Sequence, residues 1–346
     1  MLQEHLIYKA EPAFGTWALP DKWLRVDEAN VQSARESVKL RTTGMGRDLT
    51  LIVPGAKPVN GPVRMPWWFT GIGTLIRSFM RDEAVTNVIG GVDDHGLLFD
   101  DNLALQSVSL QQQHSAAVAR NVLGAVISKA TLSFVPKDAV RLALDFEAKD
   151  DSVAGATWDF DGSASPAVIA TPAYPALDRP FMFYDVTVTI GGTPAFNDTT
   201  NKLSISGGTQ HKLLKKVEIA VDNGVDTDGF GLAATDPTRQ DIAPGNRTTS
   251  VSIDRNWADL DATLSNNWRA GTAFALGLDV VGKVITGANK YELHLVVPAL
   301  ILDVAQHPAL TGGQGQRTQA ATGEATGHPT LGKSFGLWIR TSEATF

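Results

Sequence analysis

Histidine and carboxylate side chains are the residues of this sequence that could act in catalysis or metal binding, but their spacing predicts neither. No two histidines stand four residues apart and no His-Glu-x-x-His segment occurs, so a zinc hydrolase site is not indicated. The absence of cysteine excludes disulfides and thiolate metal sites. We therefore expect no catalytic residue, no metal ligand and no cofactor. The seven histidines are His5, His95, His114, His211, His294, His307 and His328.

Two further patterns resemble known sites and fail at defining positions. Residues 277–283 fit Gly-x-x-x-x-Gly-Lys, but Val284 stands where a phosphate loop has a Ser or Thr for magnesium, and the segment has the pattern of a strand. The acidic turns at residues 222–229 and 159–162 have carboxylates for calcium, but they lack EF-hand spacing. Solvated turn carboxylates are the favoured interpretation of both turns.

Composition and charge indicate a folded protein that does not grip nucleic acid. Hydrophobic residues make up 43% of the 346 residues and charged residues 19%, which suits apolar cores rather than disorder. The net charge of −7 divides into −4 over residues 1–173 and −3 over residues 174–346, so neither half has the basic excess that neutralises phosphates. Because no signal peptide and no apolar stretch of 18 residues are found, we expect no membrane contact and synthesis in the cytoplasm.

The first half has the pattern of strands around one helix. Residues 1–20 are predicted to be an irregular arm, and residues 90–102 to be turns. A long loop covers residues 43–62, within which residues 49–53 have the pattern of one strand of a hairpin. A helix is predicted to begin at Pro66, because an apolar stripe at helical spacing follows it. The predicted strands are 23–30, 36–42, 103–110, 122–134 and 139–148.

The second half repeats that order. A strand over residues 213–221 leads into a polar loop that ends at residue 245. A helix is then predicted from Asn256 or Trp257 to Gly271, with Asn256 as its N-cap. Residues 306–332 are predicted to be a loop. The remaining predicted strands are 248–253, 273–281, 291–304 and 334–341.

The sequence thus predicts a mainly β protein of two domains, each a β-sandwich or barrel with one flanking helix. We place the first at residues 1–150, a linker or excursion at residues 151–176, and the second at residues 177–346. A structural duplication is the preferred interpretation. Two unrelated β-domains that share common elements are the alternative, because sequence identity between the halves is negligible.

Tryptophans mark both predicted helices. Trp67 and Trp68 are adjacent, and two adjacent side chains on a helix cannot face the same core, so one of them is expected at an edge or a subunit interface. The helix-packing and interface candidates are Trp67, Trp68, Phe79, Trp257 and Trp268.

Several short segments, in this order, resemble the major tail tube proteins of long-tailed, non-contractile phages (siphophages). Residues 11–16, Glu-Pro-Ala-Phe-Gly-Thr, are similar to the Glu-x-x-aromatic-Gly-Thr start of that family. The other similar segments are residues 61–66 with 71–76, the glycine-led strand 123–132, and the later segments 217–225 and 245–249. The resemblance covers nearly the whole chain, except residues 149–176 and 306–332.

The resemblance implies a structural virion protein that assembles into stacked rings forming the tail tube, through which genomic DNA passes without specific binding. It also implies tape-measure and tail terminator proteins as partners. A duplicated chain would form trimeric rings with pseudo-sixfold symmetry, which we prefer, and hexameric rings of single tube domains are the alternative. The long loops would contact the next ring, so deletion of residues 46–58 should abolish tubes. The candidate loop residues are Gly46, Arg47, Asp48, Leu51, Val53, Lys57, Asp226, Asp228 and Arg239.

Two other functions stay open at this point. One is another self-assembling virion or injection-system protein, such as a decoration protein or a tube subunit. The other is a carbohydrate-binding or hydrolytic β-sandwich that would use Trp67, Trp68 or Trp158 as a sugar platform.

Overall fold

The computed structural model of the chain describes residues 5–40, 51–99, 105–115, 118–154, 167–169, 179–212, 214–230, 238–256, 263–305 and 318–346. These residues form a mainly β fold with two short helices among them, as the sequence predicts. The elements of the first half are β1 (His5–Ala10), β2 (Lys22–Leu24), β3 (Glu28–Ala29), β4 (Gln32–Ser33), β5 (Ser37–Leu40), β6 (Leu51–Pro54), β7 (Val59–Pro66), α1 (Gly73–Met80), β8 (Arg81–Ile89), β9 (Val92–Phe99), β10 (Val108–Gln113), β11 (Ala119–Phe134), β12 (Arg141–Ala148) and β13 (Asp150–Val153).

The second half begins with a short 3₁₀ turn (Phe183–Asp185) and has ten strands and one helix among its described residues. These are β14 (Val186–Ile190), β15 (Thr193–Asn197), β16 (Lys202–Ser206), β17 (Thr209–Gln210), β18 (Leu214–Asp222), β19 (Thr248–Asn256), α2 (Thr263–Ala270), β20 (Phe274–Thr286), β21 (Asn289–Val304), β22 (Thr318–Ala325) and β23 (Gly336–Thr341).

The long strand β11 belongs to two sheets. Its N-terminal part lies between β10 and β13, and β1 and β2 extend that sheet in the order β2-β1-β10-β11-β13. Its C-terminal part pairs with β12 on one side, and β7 with β3 and β4 continue this second sheet in the order β11-β12-β7-β3/β4. Apolar residues alternate with polar ones along β12, so one face of the second sheet lines the core.

The long strand β21 repeats this arrangement in the second half. It lies between β20 and β23, with β14 and β17 beyond β20, which gives the order β17-β14-β20-β21-β23. Its C-terminal part pairs with β22, and β19 and β18 follow, which gives the order β21-β22-β19-β18. The two orders match those of the first half strand for strand. Among the described residues, the first half adds the hairpins β5–β6 and β8–β9, and the second half adds β15–β16.

The β-bulges of the two halves also stand at matching places. A bulge adds one unpaired residue to a strand and bends it. Each long strand therefore bends where it passes from one sheet to the other. The register shifts at Val108/Leu110 and Ile127/Lys129 in the first half, and at Phe274/Leu276 and Leu302/Val304 in the second.

Two ladders join the halves. Residues 129–134 of β11 pair with residues 217–222 of β18, so the two second sheets form one continuous sheet in the order β3/β4-β7-β12-β11-β18-β19-β22-β21. Strand β9 of the first half pairs with β23 of the second. One apolar core contains side chains of both halves, so the two halves share a sheet and a core.

Three predictions for the first half are wrong. In each case, segments that pack against the predicted element determine its backbone conformation. Pro66 is the last residue of β7, and the helix begins only at Gly73, because the backbone of Trp67 bonds to Val140 and Phe181 instead of forming a first helical turn. Residues 1–20 contain β1, which pairs with β10 and β2. Residues 90–102 contain β9, a fully buried strand in which Asp94 forms ion pairs with Lys202 and Arg340, and Asp93 accepts the side-chain amide of Asn87.

In the second half, two more boundaries differ from the prediction. Asn256 ends β19 and is therefore no N-cap; the described part of α2 begins at Thr263, and Trp257 lies outside the described residues. The helix ends before Gly271, as predicted, and Gly271 has a φ of +59°. The predicted loop 306–332 contains β22, whose alternate small residues Ala, Gly and Thr lack a clear strand pattern.

Candidate assembly surfaces

The carboxylate of Glu11 connects the N-terminal segment to the centre of the first sheet. Its two oxygens accept backbone N–H groups from Gly15 at 2.9 Å and Gly124 at 2.8 Å. They also accept the hydroxyls of Ser107 at 2.6 Å and Ser109 at 2.8 Å. Gly15 and Gly124 both have a positive φ, of 68° and 64°, which favours glycine. Two of the segments that carried the resemblance in the first half, the Glu-x-x-aromatic-Gly-Thr start and the glycine-led strand, therefore meet at one carboxylate.

The continuous sheet presents one face to the core and one polar face to solvent. Cross-strand partners share a face, and the partners on this face are polar or small, for example Lys129 with Asp145 and Asp222, and Ser250 with Glu324. Along β3/β4, β7, β12, β11, β18, β19 and β22, the polar face has an excess of acidic residues. The acidic residues are Glu28, Asp145, Glu147, Glu218, Asp222, Asp254 and Glu324, and the basic residues are Arg64, Lys129, Arg141, Lys215 and Lys216.

The loop before β7 forms a hairpin of β5 and β6, as the sequence predicts. It exposes apolar side chains: Val38 is 49% exposed, Ile52 56% and Val53 37%. Lys57, at the base of the hairpin, is buried, where it forms ion pairs with Asp150 and Asp151. Lys57 therefore holds the base of the hairpin, while Val53 is placed to contact another molecule.

Gly46, Arg47 and Asp48 lie outside the described residues, and of Leu51 the structure describes the backbone, which pairs with Leu40. The tip of the hairpin thus stays a prediction.

The loop between β18 and β19 reaches across to the first half. Arg239, only 2% exposed, donates to Glu147 Oε2 at 2.6 Å and to the carbonyls of Val59 and Thr227 at 3.3 and 3.1 Å. Its guanidinium therefore fixes this loop to β7 and β12 of the first half. Asp226 and Asp228 of the same loop are exposed.

The tryptophans are in the core or bonded to backbone, and none of the described candidates forms a sugar platform. Trp67 is 1% exposed, and Phe79 is buried too. The indole N–H of Trp68 donates to Arg25 O at 2.9 Å, and that of Trp268 donates to Asp303 O at 2.9 Å. The two adjacent tryptophans do not lie on a helix: Trp67 is buried and Trp68 is half-buried, and a subunit interface at Trp68 stays a prediction. Trp158 lies outside the described residues.

The second joint between the halves contains a buried ion cluster. Asp94 of β9 accepts two hydrogen bonds from Arg340 of β23, at 2.7 and 2.9 Å, and one from Lys202 of β16 at 2.5 Å. Burial by itself raises the pKa of the Asp94 carboxyl, but these cations outweigh burial and hold the pKa below its ordinary value. Sequence reasoning missed this cluster because its members are more than a hundred residues apart, and no local pattern signals such a pairing.

The possible catalytic and ligand patterns do not form sites among the described residues. Residues 277–283 lie inside β20 instead of between a strand and a helix. We expected no Gly-x-Ser-x-Gly segment, but residues 332–336 read Gly-Lys-Ser-Phe-Gly. They lead into β23, whereas a nucleophile elbow leads from a strand into a helix. No group of three His, Asp or Glu residues in the described ranges is placed to hold a metal ion. No helix of the described part is long and apolar enough to cross a membrane.

Comparison with known families decides between the remaining functions. The chain matches the phage tail tube protein family over residues 2–325, which is nearly its whole length. The chain belongs to the phage tail tube protein family. A search of the curated proteins found no match. This tail tube protein is therefore a structural component of the virion tail that assembles into a tube.

Proposed function

We propose that this tail tube protein forms stacked rings that make up the tail tube of a long-tailed, non-contractile phage, and that the tube is the conduit for genomic DNA. The observation that carries the proposal is the ladder between β11 and β18, because it joins two matching strand arrangements edge to edge within one chain. The same joint, repeated between chains, closes a ring whose inner wall is one continuous sheet. Tape-measure and tail terminator proteins are the expected partners.

The repeated strand order supports a duplicated chain, with tube-like domains at residues 1–150 and 177–346 connected through residues 151–176. Matching sheet orders are common among β proteins, whereas matching bulge positions on two long strands are a more specific likeness. Three duplicated chains supply six units, so we propose a trimeric ring with pseudo-sixfold symmetry. A hexameric ring of single units is disfavoured, since both halves of the chain have the complete strand order.

The polar face of the continuous sheet is the proposed lumen wall. Its acidic excess opposes phosphate binding, because affinity for nucleic acid rises with the number of phosphates that cations neutralise. DNA would therefore pass along this face without adhering to it.

The hairpin β5–β6 is the proposed contact to the next ring. Val38 and Val53 are cross-strand partners on one face of the hairpin, and both are exposed. An exposed apolar pair on a two-stranded hairpin gains stability when a neighbouring ring covers it. The double variant Val38→Ser/Val53→Ser should leave folded rings or monomers without tubes, whereas Lys39→Ser on the same strand, as control, should assemble. Normal tubes of the double variant would remove the hairpin from this role.

Electron microscopy of the purified protein at high concentration tests the function directly. We expect hollow tubes with a regular axial repeat, and a reconstruction with three chains per ring and six similar units. Tubes with six chains per ring would contradict the trimeric ring but would still support the tube function. A protein that stays monomeric even when seeded with tube fragments and binds a sugar would contradict the whole proposal.

A further inference from the structure

The two ends of the continuous sheet differ from its middle joint in one respect: among the described residues, neither end has a partner strand. At the joint, the backbone of Asn223 donates to Ser128 O at 2.8 Å, and β18 then pairs along β11. By the matching ladders, β3/β4 of the first half corresponds to β18, and the C-terminal end of β21 corresponds to that of β11. These two ends are the edges that a ring would join between chains.

The β3/β4 edge is closed by side chains of the same chain. Gln112 of β10 accepts the N–H of Val31 at 3.2 Å and donates to its carbonyl at 2.7 Å. Asp151 of β13 accepts the N–H of Ser33 at 3.0 Å. Val31 and Ser33 match Ile219 and Val221, which use the same edge to pair with β11. Two side chains thus take the place that a strand takes at the joint.

The corresponding positions of the second half carry no such polar side chains. The ladder of β20 with β21 places Leu278 where β10 has Gln112. The ladder of β21 with β23 places Phe335, just before β23, where β13 has Asp151. Both are buried apolar residues. Polar capping groups therefore occur where the edge has no partner strand in the described part of the chain, and apolar groups where it has one.

The opposite edge of the sheet is closed in a similar way. Asp303 is the bulged residue of β21 and corresponds to Ser128, the residue whose carbonyl begins the joint. The carbonyl of Asp303 accepts the indole N–H of Trp268 at 2.9 Å. The helix α2, which carries Trp268, therefore covers the start of this edge.

We infer that the side chains of Gln112, Asp151 and Trp268 cap the two ring-forming edges of the free subunit, and that a second copy of this chain displaces them when it adds its strand. Exposed edges template uncontrolled strand pairing, and buried polar groups keep some partner in either state. The caps satisfy the backbone of the free subunit and release it to an incoming strand, so they set the barrier to assembly. This inference rests on the proposed ring assembly.

Variants of Gln112 and Ser33 test the capping in the full chain. Gln112→Ala removes both bonds to Val31, and we expect the nucleation rate of tubes, measured by light scattering, to rise on the order of tenfold. The matched control is Gln113→Ala, which removes a buried glutamine of the same strand that donates to Ile169 O. Ser33→Pro removes the N–H that an incoming strand needs, while Ser33→Ala keeps it. We expect folded Ser33→Pro protein, checked by circular dichroism, that does not elongate seeds.

The outcomes separate the capping from the proposed function. Wild-type tubes together with equal rates for Gln112→Ala and Gln113→Ala would overturn the capping and leave the tube function intact. Wild-type elongation by folded Ser33→Pro protein would do the same. If neither the wild type nor any variant forms rings or tubes when seeded, the proposed assembly itself fails and the capping with it. Trp268→Phe, which keeps the ring and loses the N–H, should also speed nucleation, and an unchanged rate there would restrict the capping to the β3/β4 edge.

Discussion

Replacement of Glu11 by Leu should destabilise the protein strongly, because the carboxylate is the common acceptor of four donors. Leucine fills similar space but accepts nothing, so the N–H groups of Gly15, which is half-buried, and of Gly124, which is buried, lose their acceptor. An unsatisfied buried donor costs about 1–3 kcal/mol. The hydroxyls of Ser107 and Ser109 can rotate towards other acceptors, so we count the two backbone groups alone and expect a loss of about 3 kcal/mol in the free energy of unfolding.

Denaturant unfolding followed by tryptophan fluorescence measures this loss. Glu36→Leu is the matched control, because Glu36 is exposed and accepts from Gly55 through its backbone alone among the described contacts. Ser107→Ala should cost less than about 1 kcal/mol, since it removes one donor and leaves the carboxylate with three. A loss below about 1 kcal/mol for Glu11→Leu, or equal losses for Glu11→Leu and Ser107→Ala, would refute the view of Glu11 as the common acceptor.

Three further changes should each report on one joint of the fold. Arg239→Ala leaves the Glu147 carboxylate without its buried cation, so we expect a loss of about 3–5 kcal/mol in unfolding free energy. The β18–β19 loop should also be cleaved early in limited proteolysis. A loop that stays intact under proteolysis would contradict this. Gly61→Ala should detach β3/β4 from β7, because a Cβ at Gly61 would lie 1.8 Å from Asn30 O. Faster amide hydrogen exchange along β3/β4 would show the detachment. Gly90→Ala is the control, because a Cβ there meets nothing within 4 Å. The pKa of the Asp94 carboxyl is lowered in the folded protein, so this group stabilises the fold above its unfolded pKa of about 3.9. The stabilisation is lost as the pH falls through the folded pKa. An Asp94→Asn variant with the same acid unfolding curve as wild type would contradict this.

Local sequence patterns correctly predicted those helices and strands whose conformation depends mainly on the residues within them. The alternation in β12 and the continuous apolar run of β11 identified both strands, and the apolar stripe identified α1 although its start was wrong. The start failed because Trp67 bonds to Val140 and to Phe181, and no pattern near residue 66 indicates a partner more than a hundred residues away. Local propensity gives way to tertiary context at such positions.

The candidate surfaces show the same difference between features set by local sequence and features set by distant partners. The hairpin β5–β6 was predicted from its own sequence, whereas the roles of Lys57 and Arg239 follow from distant partners. Both were proposed as contacts to another ring, and both are buried inside the chain. The two halves have negligible sequence identity, yet their ladders match, because the pairing order constrains polar and apolar alternation and leaves residue identity free.

The hairpin β8–β9 exists in the first half alone, and it gives the proposed ring two kinds of seam. Within a chain, neighbouring units are joined by the β11–β18 ladder and by the β9–β23 ladder with its Asp94 cluster. Between chains, the matching strand order offers the first of these ladders but no second hairpin. The wall of the tube would therefore alternate three doubly joined seams with three singly joined ones. When the tail bends, strain would collect at the single seams, and fracture would run lengthwise along them.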